Sequence, residues 1–251
     1  MKVFKKYLKQ FIDNYDEVIS TSNDFRFEEI NELSTDSRSL NKGDLFIALK
    51  GENFNGNDYI NESIFKGASL CISDENEKKK TISVKSTQRF IEDYSIYILN
   101  IMKNIKIIGI TGTNGKTSTK ELTNSILGLK FVTHSTKGNL NNKIGLPLTI
   151  LNMNEDTEVL ILEMGTNDIG EIGKLVDIAN PDVATITNIG KGHTLKLKNR
   201  ETIFKEKFSI VKNFNSSSCF AFNLDDDYMK KEYLRSNLNK ISFSIKADSD
   251  V

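Results

Sequence analysis

A short glycine-rich run, Gly112-Thr113-Asn114-Gly115-Lys116-Thr117, has the clearest chemical potential in the sequence. Glycines let a loop turn its backbone N–H groups toward an anion, and a following helix adds partial positive charge. Lys116 could reach the terminal phosphates of a nucleotide, and the Thr117 hydroxyl could ligate Mg²⁺. The usual phosphate-loop pattern has glycine where this chain has Ile110, so the loop has a shorter form. The run therefore predicts a nucleoside triphosphate site; the alternative is an ordinary glycine-rich turn.

The elements on either side of this run favour the phosphate loop. Ile105–Ile110 is a candidate buried strand, and Thr119–Leu129 has a helical pattern. Three further apolar runs that read as strands are Val159–Leu162, Val183–Thr187 and Phe220–Asn223. Strands that alternate with helical segments predict a parallel sheet flanked by helices.

Polar residues follow two of these strands. Glu163 ends one strand, and Asn188 and His193 come just after another. Enzymes that use ATP need metal ligands and carboxylates that face the γ-phosphate, and in open α/β sheets such groups lie at the carboxyl ends of strands. Glu163 and His193 are therefore candidates, although a lone histidine is as often structural.

The N-terminal part reads as a separate, smaller α/β unit. Residues 1–20 have the spacing of an amphipathic helix, and the charged run Asp74–Lys80 reads as a solvated loop. The other expected elements are strands at Leu45–Leu49 and Ser69–Ile72, and helices at Tyr59–Lys66 and 87–103. We expect a boundary near residue 103, which gives domains at 1–102 and 103–251.

Composition excludes several classes of protein. The 251 residues include 34 Lys and Arg and 34 Asp and Glu, so the net charge is zero, which argues against a general nucleic-acid binder. No apolar run approaches the roughly 18 residues of a membrane span, and no signal-peptide core is visible. The two cysteines, Cys71 and Cys219, cannot form a disulfide framework. We expect a cytoplasmic protein.

Several blocks, in order, resemble the Mur ligases, the ATP-dependent amide-bond-forming enzymes of peptidoglycan synthesis. The blocks are TGTNGKTSTKE, THSTKGNLNNKIGLPLTIL, LEMGTNDIGEI and NPDVATITNIGKGH. The earlier block STDSRSLNKGDLFIALKGENFNGNDYI is similar to the uridine-nucleotide-binding domain of the family. The resemblance implies a small N-terminal α/β domain that binds UDP-linked substrate. A P-loop central domain would follow, with a mostly parallel sheet flanked by helices.

The resemblance also implies an activity. The GNLNNKIGLPLTIL and EMGTNDIGEI segments favour the ligation of D-alanyl-D-alanine to UDP-MurNAc-tripeptide through an acyl phosphate. Two alternatives stay open. The chain could be a catalytically incomplete module that binds nucleotide and UDP-linked precursor, or a Mur-like ligase with another amine acceptor.

Site residues follow from the resemblance position by position. ATP phosphates would bind at Gly112, Thr113, Asn114, Gly115, Lys116, Thr117 and Ser118. Thr117, Glu163, His193 and Lys207 would hold two Mg²⁺ ions, with Lys207 modified by CO₂ to a carbamate. Lys116, Glu163, His193 and Lys207 would be catalytic, and Lys205 is the competitor of Lys207 for the carbamate. Ser37 and Arg38 would hold the uridine diphosphate, and Thr136, Asn139 and Asn142 would face the sugar and peptide.

Three departures from the family pattern stand out. Asp168 occupies a position where histidine is usual, and the segment TLKLKNRE after His193 is unusually basic. The sequence also ends at Val251, and from the resemblance we expect the central domain to be incomplete there and the C-terminal ligase domain to have no counterpart in the chain. We expect that a chain of this extent binds nucleotide yet ligates poorly, unless a separate chain supplies the missing domain.

Overall fold

The structure is a computed structural model that describes residues 1–51, 53–75, 79–190, 199–246 and 248–251. The chain divides into two compact units. The first comprises Met1–Ile98 and Leu151–Glu155, and the second comprises Leu99–Ile150 and Asp156–Val251. None of the helices in these described ranges is both long enough and apolar enough to cross a membrane.

The first unit is a five-stranded sheet with helices. Its helices are α1 (Val3–Ile12), α2 (Ile60–Phe65) and α3 (Thr87–Ile101), the last of which continues into the second unit. Its strands are β1 (Val18–Thr21), β2 (Leu33–Ser34), β3 (Leu45–Ile47), β4 (Leu70–Ser73) and β5 (Thr81–Val84). The order across the sheet is β1-β5-β4-β3-β2. The β1–β5 pair is antiparallel and the other pairs are parallel.

The helix predicted over residues 1–20 is wrong beyond Ile12. The apolar face of α1 buries Leu8 and Phe11, and the Phe11 ring stacks on Tyr94 with centroids 4.6 Å apart. The chain then turns, and Val18–Thr21 pairs with β5. The β-branched residues of this segment fit a pleated sheet better than a helix. Helical spacing could not reveal that a partner strand lies some sixty residues away in the sequence.

The second unit has a six-stranded parallel sheet flanked by helices, as predicted. Its strands are β6 (Lys106–Thr111), β7 (Thr133–Ser135), β8 (Val159–Glu163), β9 (Val183–Ile186), β10 (Cys219–Asn223) and β11 (Lys240–Phe243). Its helices are α4 (Lys116–Leu127), α5 (Gly145–Leu151), α6 (Glu171–Ala179), α7 (Arg200–Phe208) and α8 (Asp227–Arg235). The strand order is β11-β10-β9-β6-β8-β7, and every pair is parallel.

The strand order determines where a site can form. β6 lies between β8 and β9, so the chain leaves β6 toward one side of the sheet and later returns on the other. Parallel strands bring their carboxyl ends to one edge, and a reversal of strand order opens a crevice there. The ends of β6, β8 and β9, at Thr111, Glu163 and Ile186, therefore lie beside one another.

Candidate active site

The glycine-rich run forms a loop between Thr111, where β6 ends, and Lys116, where α4 begins. Gly112 and Gly115 have positive φ angles of 149° and 79°, a region that favours glycine. A Cβ on Gly112 would lie 1.8 Å from the Thr187 hydroxyl oxygen, so a larger residue would displace Thr187. The loop thus leads directly into a helix N-terminus, the geometry that receives a phosphate.

Hydrogen bonds join this loop to the segment after β9. Thr113 N donates to the Asn188 carbonyl at 3.0 Å, and Gly190 N donates to the Thr113 hydroxyl at 2.9 Å. The Asn114 carbonyl accepts from the Thr187 hydroxyl at 2.5 Å and from the Asn188 amide group at 3.0 Å. These contacts fix the backbone of the loop, so its shape does not have to be created by a ligand.

At the start of α4, the Lys116 side chain lies against the loop, whereas the Ser118 side chain is exposed to solvent. The Lys116 ammonium donates to the carbonyls of Gly112 and Thr113 at 3.0 and 3.3 Å, so it lies over the loop. Ser118 is exposed on the first turn of the helix. The loop therefore carries a positive charge beside its backbone N–H groups.

Glu163 lies at the junction of the loop and α4. It is the last residue of β8 and is only 3% exposed. One carboxylate oxygen accepts from the Thr117 hydroxyl at 2.7 Å, and the other accepts from the Asn141 side chain at 2.7 Å. Its backbone N–H donates to the hydroxyl of the buried Thr136 at 3.0 Å. The structure thus brings together two of the predicted metal ligands, Thr117 and Glu163.

Sequence reasoning missed Asn141, although its neighbours Asn139 and Asn142 were predicted site residues. The Asn142 side chain accepts two backbone N–H groups at the start of α5, which is a helix-capping role. Asn139 is exposed, and its carbonyl accepts from Asn141 N at 2.8 Å. The run of asparagines in GNLNNKIG indicated a site segment, but the sequence did not show which asparagine contacts Glu163.

Lys207, on α7, lies near the phosphate loop. Its side chain is 1% exposed. Burial, and secondarily the positive charge of Lys116, lowers the pKa of Lys207 to about 8, while Glu206 acts in the opposite direction. The competitor Lys205 is 71% exposed and pairs with Glu201 at 3.2 Å. Of the two lysines, only Lys207 combines burial with the positive charge of Lys116 nearby.

Glu206 is a second residue that sequence reasoning missed. Its buried carboxylate accepts from Gly170 N at 2.6 Å and from Ile172 N at 2.8 Å, which ties α7 to the start of α6.

Asp168, one of the departures from the family pattern, has a carboxylate oxygen that accepts from Ile169 N at 2.9 Å. Predicted ligand His193, with most of the basic segment after it, lies outside the described residues.

The donors at the loop fit a hard divalent cation. Mg²⁺ prefers hydroxyl, carboxylate and phosphate oxygens, and the Thr117 and Glu163 oxygens lie 2.7 Å apart beside the loop. Within the described ranges, no group of three or more His, Cys, Asp or Glu side chains could hold a metal on its own. A cation here would therefore share its coordination with a phosphate ligand, as Mg²⁺ sites of nucleotide enzymes do.

The first unit has a cavity of about 380 Å³ at the predicted uridine site. Its lining includes Asp36, Ser37, Arg38, Phe54 and Tyr59. Arg38 donates from Nη2 and Nε to the Asp36 carboxylate at 2.7 and 2.9 Å, and this contact lowers the pKa of Asp36 to about 2. Ser37 is buried, and its carbonyl accepts from Lys66. The cavity thus offers aromatic surface and an arginine.

Two family profiles match the chain. The profile of the Mur ligase middle domain matches residues 110–251. The profile described as Mur ligase family, catalytic domain, matches residues 29–113. The first match begins within β6 and so includes the whole phosphate loop.

Individual proteins are similar over the same region. The UDP-N-acetylmuramoyl-tripeptide–D-alanyl-D-alanine ligase of Bacillus subtilis (strain 168) is 37% identical over 209 residues, which are 81% of this chain and 46% of that protein. MurF from Acinetobacter baumannii has a TM-score of 0.79 at 30% identity, covering 85% of this chain and 48% of that chain. The MurF ligase of Thermotoga maritima in complex with ADP has a TM-score of 0.77 at 32% identity, covering 86% and 51%. The chain spans about half the length of these relatives.

The low pKa of Lys207 predicts a pH-dependent effect of replacing it with methionine. At pH 7 the lysine is mostly charged in the folded chain and fully charged in the unfolded chain, and burying that charge costs up to about 3 kcal/mol at 1.36 kcal/mol per pKa unit. In CO₂-free buffer, Lys207→Met should therefore be more stable than wild type at pH 7. The gain should shrink as pH rises from about 8 toward 10.5, because only the folded wild type then loses its proton.

Denaturant unfolding at several pH values measures this difference. Lys205→Met is the matched control, and we expect it to change stability by no more than about 0.5 kcal/mol throughout, because Lys205 is exposed. A Lys207→Met variant that is less stable than wild type at pH 7, or whose gain does not change with pH, would contradict the pKa assignment.

Proposed function

The chain belongs to the Mur ligase family, and from that membership we propose that it supplies the nucleotide-binding part of an ATP-dependent ligase. The proposed reaction joins D-alanyl-D-alanine to UDP-MurNAc-tripeptide, the activity in the names of its relatives. The observation that carries the proposal is the 2.7 Å contact between the Thr117 hydroxyl and the Glu163 carboxylate. It supports a phosphate loop with oxygen ligands for a cation beside it.

The chemistry requires stabilisation of negative charge in two steps. A carboxylate oxygen of the tripeptide attacks the γ-phosphorus of ATP, the bond to the β–γ bridging oxygen breaks, and ADP leaves. The amine of the dipeptide then attacks the acyl carbon, the carbon–oxygen bond to phosphate breaks, and the amine loses its proton. Lys116 and the N–H groups at the start of α4 would bind the transferred phosphoryl group in the first step.

Magnesium fits this arrangement. The Thr117 hydroxyl and the Glu163 carboxylate would hold one ion, and we propose His193 and a carbamate on Lys207 as ligands for a second. Bound Mg²⁺ would neutralise phosphate charge during transfer. Asn141, through its hydrogen bond to Glu163, would keep the carboxylate oriented toward Thr117.

The burial of Lys207 supports the carbamate. CO₂ adds only to a neutral amine, and the amine nitrogen loses a proton as the carbamate forms. With its pKa lowered to about 8, Lys207 is neutral in a usable fraction of molecules near pH 7. The carbamate would be an anion beside the positive charge of Lys116, so its formation would turn a repulsive pair into an attractive one.

The cavity of the first unit supports a place for the uridine diphosphate end of the substrate. We propose that the Arg38 guanidinium binds the diphosphate, since its planar fork matches phosphate oxygens, and that Ser37 assists. The chain spans about half the length of its relatives, and we propose that the dipeptide site lies on further sequence or on a separate chain. We also propose a cytoplasmic location, where ATP is available to such an enzyme.

Lys116→Met should weaken binding of ADP in the presence of Mg²⁺ by about 10- to 100-fold, the loss expected for one charge-assisted hydrogen bond. Isothermal titration calorimetry measures the affinity directly. The matched control is Lys106→Met, because Lys106 lies on β6 before the loop, is 70% exposed and pairs with Asp182 at the surface. We expect the control to bind as tightly as wild type.

Two results would count against the proposal. Wild-type chain that shows no heat of binding with ADP or a non-hydrolysable ATP analogue would remove the nucleotide site. Equal loss of affinity in both variants would show that the effect comes from general charge, and Lys116 would then have no special role.

A chemical shift measurement tests the carbamate. In ¹³C-labelled bicarbonate near pH 8, wild type and Lys205→Met should both show a side-chain carbamate carbon resonance, and Lys207→Met should lack it. The resonance of a carbamate on the α-amino group should be common to all three spectra. Loss of the side-chain resonance in Lys205→Met, or its survival in Lys207→Met, would reject Lys207 as the modified residue.

A further inference from the structure

Lys120 is a buried lysine to which the proposed chemistry gives no role. It lies on α4, one turn after Lys116, and only 1% of its side chain is exposed. On the same helix, Leu122 and Ile126 are each 64% exposed. The helix therefore buries an ammonium group and exposes two aliphatic side chains, the reverse of what packing alone would select.

The buried ammonium has two oxygen partners. It donates to the Thr136 carbonyl at 2.5 Å and lies 2.6 Å from the Glu121 carboxylate. Glu121 is 60% exposed. The ion pair between Lys120 and Glu121 could therefore form equally well at the surface, and it does not explain why Lys120 is buried. The contact that requires the lysine to be inside is the one with Thr136.

Thr136 connects Lys120 with Glu163. It directly follows β7, its backbone N–H donates to the Ile161 carbonyl at 3.0 Å, and its hydroxyl accepts from Glu163 N at 3.0 Å. The Glu163 carboxylate in turn accepts from Thr117, which is three residues before Lys120 on α4. The hydrogen bonds thus form a closed circuit from α4 through β7 and β8 and back to α4.

From this circuit we propose that Lys120 is a positioning residue for the Glu163 carboxylate. Its ammonium fixes Thr136, and the Thr136 hydroxyl fixes the backbone of Glu163 where the strand ends. Glu163 then meets Thr117 in one orientation. Without the ammonium, a buried carbonyl would lose its donor, and the segment after β7 would shift or admit water. The consequence for Mg²⁺ rests on the proposed function, while the positioning itself does not.

Hydrogen exchange tests the positioning without any ligand. In Lys120→Met, which keeps the length of the side chain, the amides of Glu163 and Thr136 should exchange about tenfold faster than in wild type, because one local hydrogen-bond contribution is lost. Amides of β10, elsewhere in the same sheet, should be unchanged. Lys130→Met is the matched control, since Lys130 is exposed just beyond the end of α4, and its exchange should equal that of wild type.

Nucleotide binding tests the consequence. The ratio of ADP affinities with and without Mg²⁺ should fall by about tenfold or more in Lys120→Met, which is typical when a residue that orients a metal ligand is removed. The affinity without Mg²⁺ should stay as in wild type, because the loop and Lys116 are intact. Lys120→Arg, which can still donate to the Thr136 carbonyl, should restore part of the ratio.

The outcomes separate the two claims. Unchanged exchange at Glu163, or equally faster exchange across the whole sheet, would overturn the positioning role. Suppose that the Glu163 amide exchanges faster in Lys120→Met, but that Mg²⁺ does not raise the ADP affinity of the wild type. This pair of results would support the positioning role and reject the proposed function. If Lys120→Met does not fold, Thr136→Val tests the next contact in the circuit, because it keeps the side-chain shape and removes the hydroxyl that accepts from Glu163 N. Unchanged exchange of the Glu163 amide in that variant would also overturn the positioning role.

Discussion

The site depends on where one carboxylate is held. Glu163 is the last residue of a buried strand, and its two oxygens reach the first turn of α4 and the asparagine segment before α5. A buried carboxylate without partners would be costly, so these hydrogen bonds stabilise the charge and also fix its direction. The position of Glu163 thereby couples the phosphate loop to the sheet. A shift of the loop or of the sheet would break the hydrogen bond between the Thr117 hydroxyl and the Glu163 carboxylate.

Two lysines bring positive charge to the loop. Lys116 lies over the loop, and the buried Lys207 is near enough for its pKa to respond to that charge. Two ammonium groups in a poorly solvated place repel each other, and an anion between them removes the repulsion. A bound phosphate, or a carbamate on Lys207 itself, would supply this negative charge. The same two ammonium groups would thus favour a phosphate ligand.

The parts of this arrangement that are local in sequence were predictable. A strand, a glycine loop and a helix follow one another directly, Glu163 ends an apolar run, and the matching profiles confirm the resemblance to Mur ligases. Asn141, Glu206 and Lys120 were missed because their partners lie 22, 34 and 16 residues away, and only the fold brings them together. The strand at Val18–Thr21 was missed for the same reason, since its pairing with β5 is not visible in local periodicity.

A crystal structure of the chain grown with Mg²⁺ and ADP tests the central claim most directly. The account predicts that the β-phosphate lies in the loop between Gly112 and Lys116, with the Lys116 ammonium turned from the loop carbonyls to the phosphate. It also predicts Mg²⁺ between the phosphate, the Thr117 hydroxyl and the Glu163 carboxylate. A nucleotide bound elsewhere would contradict the account. So would a metal ion that contacts the phosphate but neither Thr117 nor Glu163, with the hydrogen bond between these two residues unchanged.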